Sequence, residues 1–189
     1  MKRWLWLALI VLAVVLLPGG AIVAVVVVKS RSDFLRLIAA EVARQLEELR
    51  PDLSQETRQQ VGRIVAAQAA LESGYGSTKA FKEGWNFGNI SKGAWTGPVI
   101  AGGDLEYDAA GNVKGIQQLW RKYDSLAAAV SDFLTLLSWS RYRPARDRLF
   151  ALDADGYAEQ LRAGGYFTAP LAEYQRAIRG ALAEAERVA

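Results

Sequence analysis

In the stretch from Ala66 to Gly76 an apolar helical stripe ends in an acid. Val61, Val65, Gln68 and Glu72 recur at i, i+4, i+7 and i+11, so Glu72 shares the face that Val61 and Val65 turn toward a core. Gly74 and Gly76 then let the chain break the helix and turn away just past it. A carboxyl held against apolar walls has its charged form disfavoured and its pKa raised, which makes a glutamate a proton donor near neutral pH. The same spacing also suits a helix-end glutamate paired with a nearby Lys or Arg. The chain has 0 His and 0 Cys, which excludes Ser-His-Asp and Cys-His nucleophiles and any His- or Cys-ligated zinc. Carboxylates, tyrosines and backbone amides remain for chemistry, and no metal or cofactor is expected.

A pair of further acids stands on a different kind of element. Between Val99 and Tyr123 the helical period is lost, Asp104-Leu105-Glu106-Tyr107 alternates polar and apolar, and Asp108 to Asn112 reads as a turn. This predicts a hairpin with Leu105 and Tyr107 on one face and Asp104 and Glu106 on the other, more solvated one. An edge strand kept soluble by charge has the same pattern.

Helices must carry the rest. Phe34, Leu35, Leu37, Ile38, Val42, Leu46 and Leu49 predict a first helix with a wide apolar face, closed by Arg50-Pro51-Asp52. Ser54 is an N-cap for a second helix running to about Glu72, and Ser125 for a third carrying Leu126, Val130, Phe133, Leu134 and Leu137. Pro144 suits the start of a short helix, Tyr157 and Leu161 sit in another stopped by Gly164-Gly165, and Leu171, Tyr174, Ile178 and Leu182 give a terminal one. Trp120 is expected to pack in the interior.

The N-terminal segment differs in kind. Met1-Lys2-Arg3 precedes an uncharged run from Trp4 to Val28, which as a helix spans about 37 Å against roughly 30 Å of hydrocarbon. Residues 1–31 are therefore expected to be a signal anchor crossing the lipid bilayer through residues 4–28, and 32–189 a single folded domain. Cleavage after Ala21 is the alternative, and it leaves Ile22 to Val28 as an exposed apolar tail. The formal net charge is +3, but Lys2, Arg3, Lys29 and Arg31 carry four of the 23 Lys and Arg. The remaining 19 face all 20 Asp and Glu, with no long block of one sign, so no nucleic-acid partner is expected.

Five segments in order carry a family resemblance. Ala67-Gln68-Ala69-Ala70-Leu71-Glu72-Ser73-Gly74-Tyr75-Gly76 is followed by Trp85-Asn86-Phe87-Gly88-Asn89-Ile90 with Gly93-Ala94-Trp95-Thr96-Gly97-Pro98. Trp120-Arg121-Lys122-Tyr123-Asp124-Ser125-Leu126, Arg141-Tyr142 and Gly165-Tyr166-Phe167-Thr168-Ala169-Pro170 come next. Over roughly residues 54–180 the chain resembles the peptidoglycan glucosaminidases of glycoside hydrolase family 73. It departs from the family's usual pattern at Phe87, Asn89 and Ala169.

The resemblance implies a mainly α, lysozyme-like fold with a small β-hairpin lobe closing a glycan cleft. It implies Glu72 as general acid and Glu106, placed where the family's hairpin carries a second carboxylate, as base, electrostatic stabiliser or orienter of the sugar's 2-acetamido group. Gln68, Tyr75, Asn86, Phe87, Trp95, Tyr142 and Tyr166 are the substrate contacts it suggests, with Trp95 and Tyr166 the foremost cleft aromatics. The expected partner is the peptidoglycan glycan strand, cut on the reducing side of N-acetylglucosamine by a domain outside the cytoplasmic membrane. A muramidase or lytic transglycosylase of the same fold, or a tethered glycan-binding protein without activity, are the alternative readings.

Overall fold

The computed structural model describes residues 14–16, 22–24, 28–107 and 113–188, with 14–16, 22–24, 104–107 and 113–114 described by backbone alone. Near the N-terminus, β1 (Val14–Leu16) pairs antiparallel with β2 (Ile22–Ala24). Residues 4–13, 17–21 and 25–27 of the span expected as a membrane helix lie outside the described residues. Among the described residues no helix is long and apolar enough to cross a membrane.

The helical body follows. It comprises α1 (Arg31–Leu49), α2 (Gln55–Ser73), α3 (Lys79–Gly84), α4 (Leu126–Leu137), α5 (Arg143–Phe150), α6 (Ala154–Ala163) and α7 (Leu171–Arg187). Between α3 and α4, β3 (Val99–Tyr107) and β4 (Val113–Arg121) form the antiparallel hairpin, in a register that pairs Val99 with Arg121 and Tyr107 with Val113. The turn expected at Asp108 to Asn112 lies outside the described residues. A mainly helical fold with one small lobe, of the lysozyme-like kind, is thus present.

The organising element is α2. Ser54 caps it by accepting from the Thr57 N–H, as its position before the apolar run indicates. From Val61 to Ala70 every residue except Arg63 is buried, so this helix is enclosed on all sides and not merely along one stripe. Its small side chains permit that. A Cβ at Gly62 would lie 2.5 Å from the Ala39 carbonyl oxygen, so the α1 backbone sits directly on α2 at this point. Phe34, Leu35, Ile38, Val42 and Leu46 of α1 cover α2, which makes α1 a packed part of the core and not a spacer.

The hairpin is attached to this body through buried polar groups. Asn86 Nδ2 donates to the carbonyls of Ile90 and Arg121, and its Oδ1 accepts from the Ile90 N–H. Trp120 and Ile100 pack on Ala80 in a small separate apolar cluster, with Trp120 in the interior as expected. Arg121 reaches Asp132 of α4 through two bonds of 3.0 and 2.8 Å, and Tyr123 donates to the same carboxylate at 2.6 Å. Ser125 then caps α4 by accepting from the Ala128 N–H.

Candidate active site

Glu72 lies in the last turn of α2, where the backbone changes hand. Gly74, Tyr75 and Gly76 have φ of 55°, 57° and 79°, three consecutive residues in the left-handed region. The Gly74 and Tyr75 N–H groups both return to the Ala70 carbonyl, and the Ser73 hydroxyl donates to Ala69 and accepts from the Gly76 N–H. Side chains at Gly76 are excluded by Phe81 and Phe34, both within about 3.0 Å of where a Cβ would stand. The helix therefore ends at a fixed place, with Glu72 half-buried in its last turn.

A cavity of about 570 Å³ opens beside it. Its wall combines Leu71 and Glu72 of α2, Asn89, Ile90 and Ser91 of the loop after α3, and Gln118 of β4. Leu136, Tyr142, the Gly165 to Ala169 loop and Glu173, Tyr174 and Ala177 of α7 complete it. Mixed apolar and polar lining of this size suits a ligand held by ring faces and a few directed hydrogen bonds.

Three tyrosines lie close enough to Glu72 to feel its charge. The Tyr174 phenol donates to Glu72 Oε1 at 2.8 Å, and its ring stacks on Phe167 at 3.7 Å with planes 6° apart. Tyr166 donates to the Gly88 carbonyl at 2.5 Å and meets Tyr142 edge to face. Tyr157 is fully buried and donates to Gln68 Oε1, one turn before Glu72. Burial first, and the nearby Glu72 charge second, push all three phenols well above their usual range. They stay neutral donors, and Tyr174 holds the carboxyl without competing for its proton.

The residues suggested by the sequence divide into two groups. Glu72, Tyr142 and Tyr166 come together on the cavity wall. Gln68 is buried one turn before Glu72, and its Nε2 has no hydrogen-bond partner among the described residues. Tyr75 turns its hydroxyl to Glu184 at 2.8 Å and its ring to the Arg31 guanidinium, on the α1–α7 side. Asn86 spends its amide on the loop, and Phe87 is buried against Phe133 in the core. Trp95 donates its indole N–H to the Pro98 carbonyl and packs on Tyr123 and Arg121, outside the cavity lining. Glu106 lies on β3 opposite Lys114, in the same alternating set of β3 residues as Gly102, whose partner Gln118 lines the cavity.

Sequence periodicity missed two wall residues. Tyr174 belongs to the apolar stripe of α7, and its hydroxyl reaches an acid 102 positions earlier. Glu173, exposed in the first turn of α7, is a second carboxylate of the wall. Tyr174→Phe removes the hydrogen bond to Glu72 while keeping the stack on Phe167. A donated hydrogen bond favours an ionised carboxylate, so its loss moves the alkaline fall-off of the pH–rate profile to higher pH if Glu72 works as an acid. The expected kcat is about tenfold lower with KM within about twofold, read from steady-state rates across pH.

Residues 52–187 match the glucosaminidase family, described as mannosyl-glycoprotein endo-beta-N-acetylglucosaminidase. Peptidoglycan hydrolase FlgJ of Escherichia coli (strain K12) is 34% identical over 113 residues, which cover 57% of this chain and 35% of that protein. The chain thus matches only about a third of the length of the curated relatives it resembles. Among solved structures, a peptidoglycan hydrolase from Sphingomonas sp. A1 has 27% identity and a TM-score of 0.61, covering 84% of this chain and 95% of that one. A glycoside hydrolase domain of Salmonella typhimurium FlgJ has 25% identity and a TM-score of 0.55, covering 84% and 99%. With the matched segment running from the start of α2 through the whole cavity wall to the end of α7, the chain belongs to the glucosaminidase family of glycoside hydrolases.

Proposed function

We propose that this protein is a peptidoglycan hydrolase that cuts the β-1,4 bond on the reducing side of N-acetylglucosamine, with Glu72 as the general acid. The observation that carries this reading is the position of Glu72: at the end of an enclosed helix, on the wall of a 570 Å³ cavity, with one oxygen held by a neutral phenol. A carboxyl pinned at one oxygen presents its proton from a defined direction, which is what protonating a leaving glycosidic oxygen needs. Tyr142 and Tyr166 offer ring surface to the apolar faces of sugars on the same wall. The named activity of the FlgJ and Sphingomonas relatives supports peptidoglycan as the substrate.

Glu106 is the proposed partner carboxylate, acting as base, as electrostatic stabiliser or on the 2-acetamido group. Its place on a two-stranded hairpin, in the alternating set that includes the position facing Gln118, supports that assignment. We further propose that the uncharged run from Trp4 to Val28 anchors the protein in the cytoplasmic membrane, with the folded domain on the side of the wall. The substrate's location supports this orientation.

Mass spectrometry of digested peptidoglycan tests the bond. Products ending in reducing N-acetylglucosamine are expected. Reducing-end muramic acid indicates a muramidase and anhydro-muramyl products a lytic transglycosylase, and either overturns the proposed specificity. No cleavage at all by a folded protein makes it a glycan-binding one.

A further inference from the structure

Trp139, in the turn between α4 and α5, is 43% exposed, and nothing in the chemistry above uses it. Isolated exposed apolar side chains are ordinary and need no explanation. This one has three further properties. First, its backbone is held on both sides: its N–H donates to the Leu136 carbonyl at 3.1 Å, and its carbonyl accepts from the Tyr142 and Arg143 N–H groups at 2.9 and 2.8 Å. An indole on such a support loses little freedom when something stacks on it.

Second, the residues that hold it belong to the cavity. Leu136 and Tyr142 both line the wall, so the Trp139 backbone is bonded directly to two residues of the cavity. Third, the ring is seated on a fixed cation. The Arg121 guanidinium lies 5.7 Å from the Trp139 ring and 5.4 Å from that of Trp95. Arg121 is buried, bound twice to Asp132, and donates from Nε to the Ser91 carbonyl at 3.2 Å; Ser91 is itself a cavity residue. With its charge satisfied by Asp132, Arg121 is not an anion receptor. The platform it supports is neutral and aromatic.

We propose that Trp139 is a stacking platform for a sugar ring of the glycan strand that lies beyond the sugars filling the cavity, and that it makes the enzyme favour long strands over short ones. This rests on the glycan-cleaving reading of the site. The apolar C–H face of a pyranose matches an indole in size and needs no charge from the protein.

The test compares the full chain and its Trp139→Ala, Trp139→Leu and Trp139→Phe variants on two substrates: polymeric peptidoglycan and a tetrasaccharide of two disaccharide repeats. The expected result is a rise of about tenfold in KM for the polymer in the Ala and Leu variants, with kcat within about twofold. Tetrasaccharide kcat/KM stays within about twofold, and Phe restores most of the polymer affinity. Leu keeps an apolar cover over Arg121, so its loss of polymer affinity separates stacking from support of the fold. A Leu variant with wild-type polymer KM, or an equal loss on both substrates, overturns the platform. A wild-type chain active on both substrates with all variants unchanged removes the platform alone, whereas a wild-type chain inactive on both removes the glycan-cleaving reading and the platform with it.

Discussion

Glu72→Gln lowers peptidoglycan turnover by about 10² to 10⁴-fold while the protein stays folded, since general acid catalysis supplies roughly that much and the amide has no acidic proton to give. The substitution is close to isosteric, and its amide oxygen can still accept from Tyr174, which donates at 2.8 Å to Glu72 Oε1. The wall made by Tyr142, Tyr166 and the 165–169 loop is untouched, so glycan affinity is retained. A fall in kcat with little change in KM marks an interaction made in the transition state alone. Turbidity clearing by purified protein, with a melting curve of each variant, measures both quantities. The contrast with Tyr174→Phe is informative: that change disturbs where the carboxyl sits, whereas Glu72→Gln removes the proton.

Asp132→Ala destabilises the protein by about 3 to 5 kcal/mol, because it leaves a buried guanidinium without its counter-charge. Asp132 accepts both bonds from Arg121 and the Tyr123 phenol at 2.6 Å, and Arg121 is 5% exposed. Burial and the Asp132 charge together push the Tyr123 hydroxyl up, so it remains a proton donor to this carboxylate. Domains of this size hold about 5 to 15 kcal/mol in all, so the loss is a large share of the total. Urea unfolding is expected to show a lower midpoint with an unchanged slope. The paired change Arg121→Met with Asp132→Leu recovers much of the loss, since apolar replacement of a whole buried pair is often near neutral. This cluster ties β4 to α4, so a weakened Asp132 also loosens the hairpin that carries Glu106.

Much of the scaffold was legible because it depends on local rules. Ser54 and Ser125 cap their helices as their positions before apolar runs require, and Gly74 stops α2 in the left-handed conformation that glycine tolerates. Gly165, with φ of 74° just past the cap residue Gly164, ends α6 in the same way. Pro144 falls one position later than expected, because α5 already begins at Arg143. The short helix α3 has too few residues to show a period, and only Thr78, which accepts from the Phe81 N–H, marks its start.

The site was legible only where a residue's place in the chain decides its role. Glu72 is set by the helix that carries it. Asn86 and Phe87 lie beside a motif for a different reason: they hold the loop that puts Asn89 and Ile90 on the cavity wall. A motif marks positions on which the backbone depends as readily as positions that meet a ligand. Tyr174 was hidden for the opposite reason. Its ring satisfies the apolar period of α7, and the use of its hydroxyl is decided by a helix 102 residues away.

The most direct measurement is a crystal structure of the Glu72→Gln chain with a tetrasaccharide of two peptidoglycan disaccharide repeats. The strand is expected to run through the cavity between Tyr142, Tyr166 and the hairpin, with a glycosidic oxygen on the reducing side of N-acetylglucosamine within hydrogen-bond reach, about 3 Å, of the position-72 amide. A strand bound elsewhere, or one in this cavity with no glycosidic oxygen near position 72, contradicts the assignment of Glu72 as the acid.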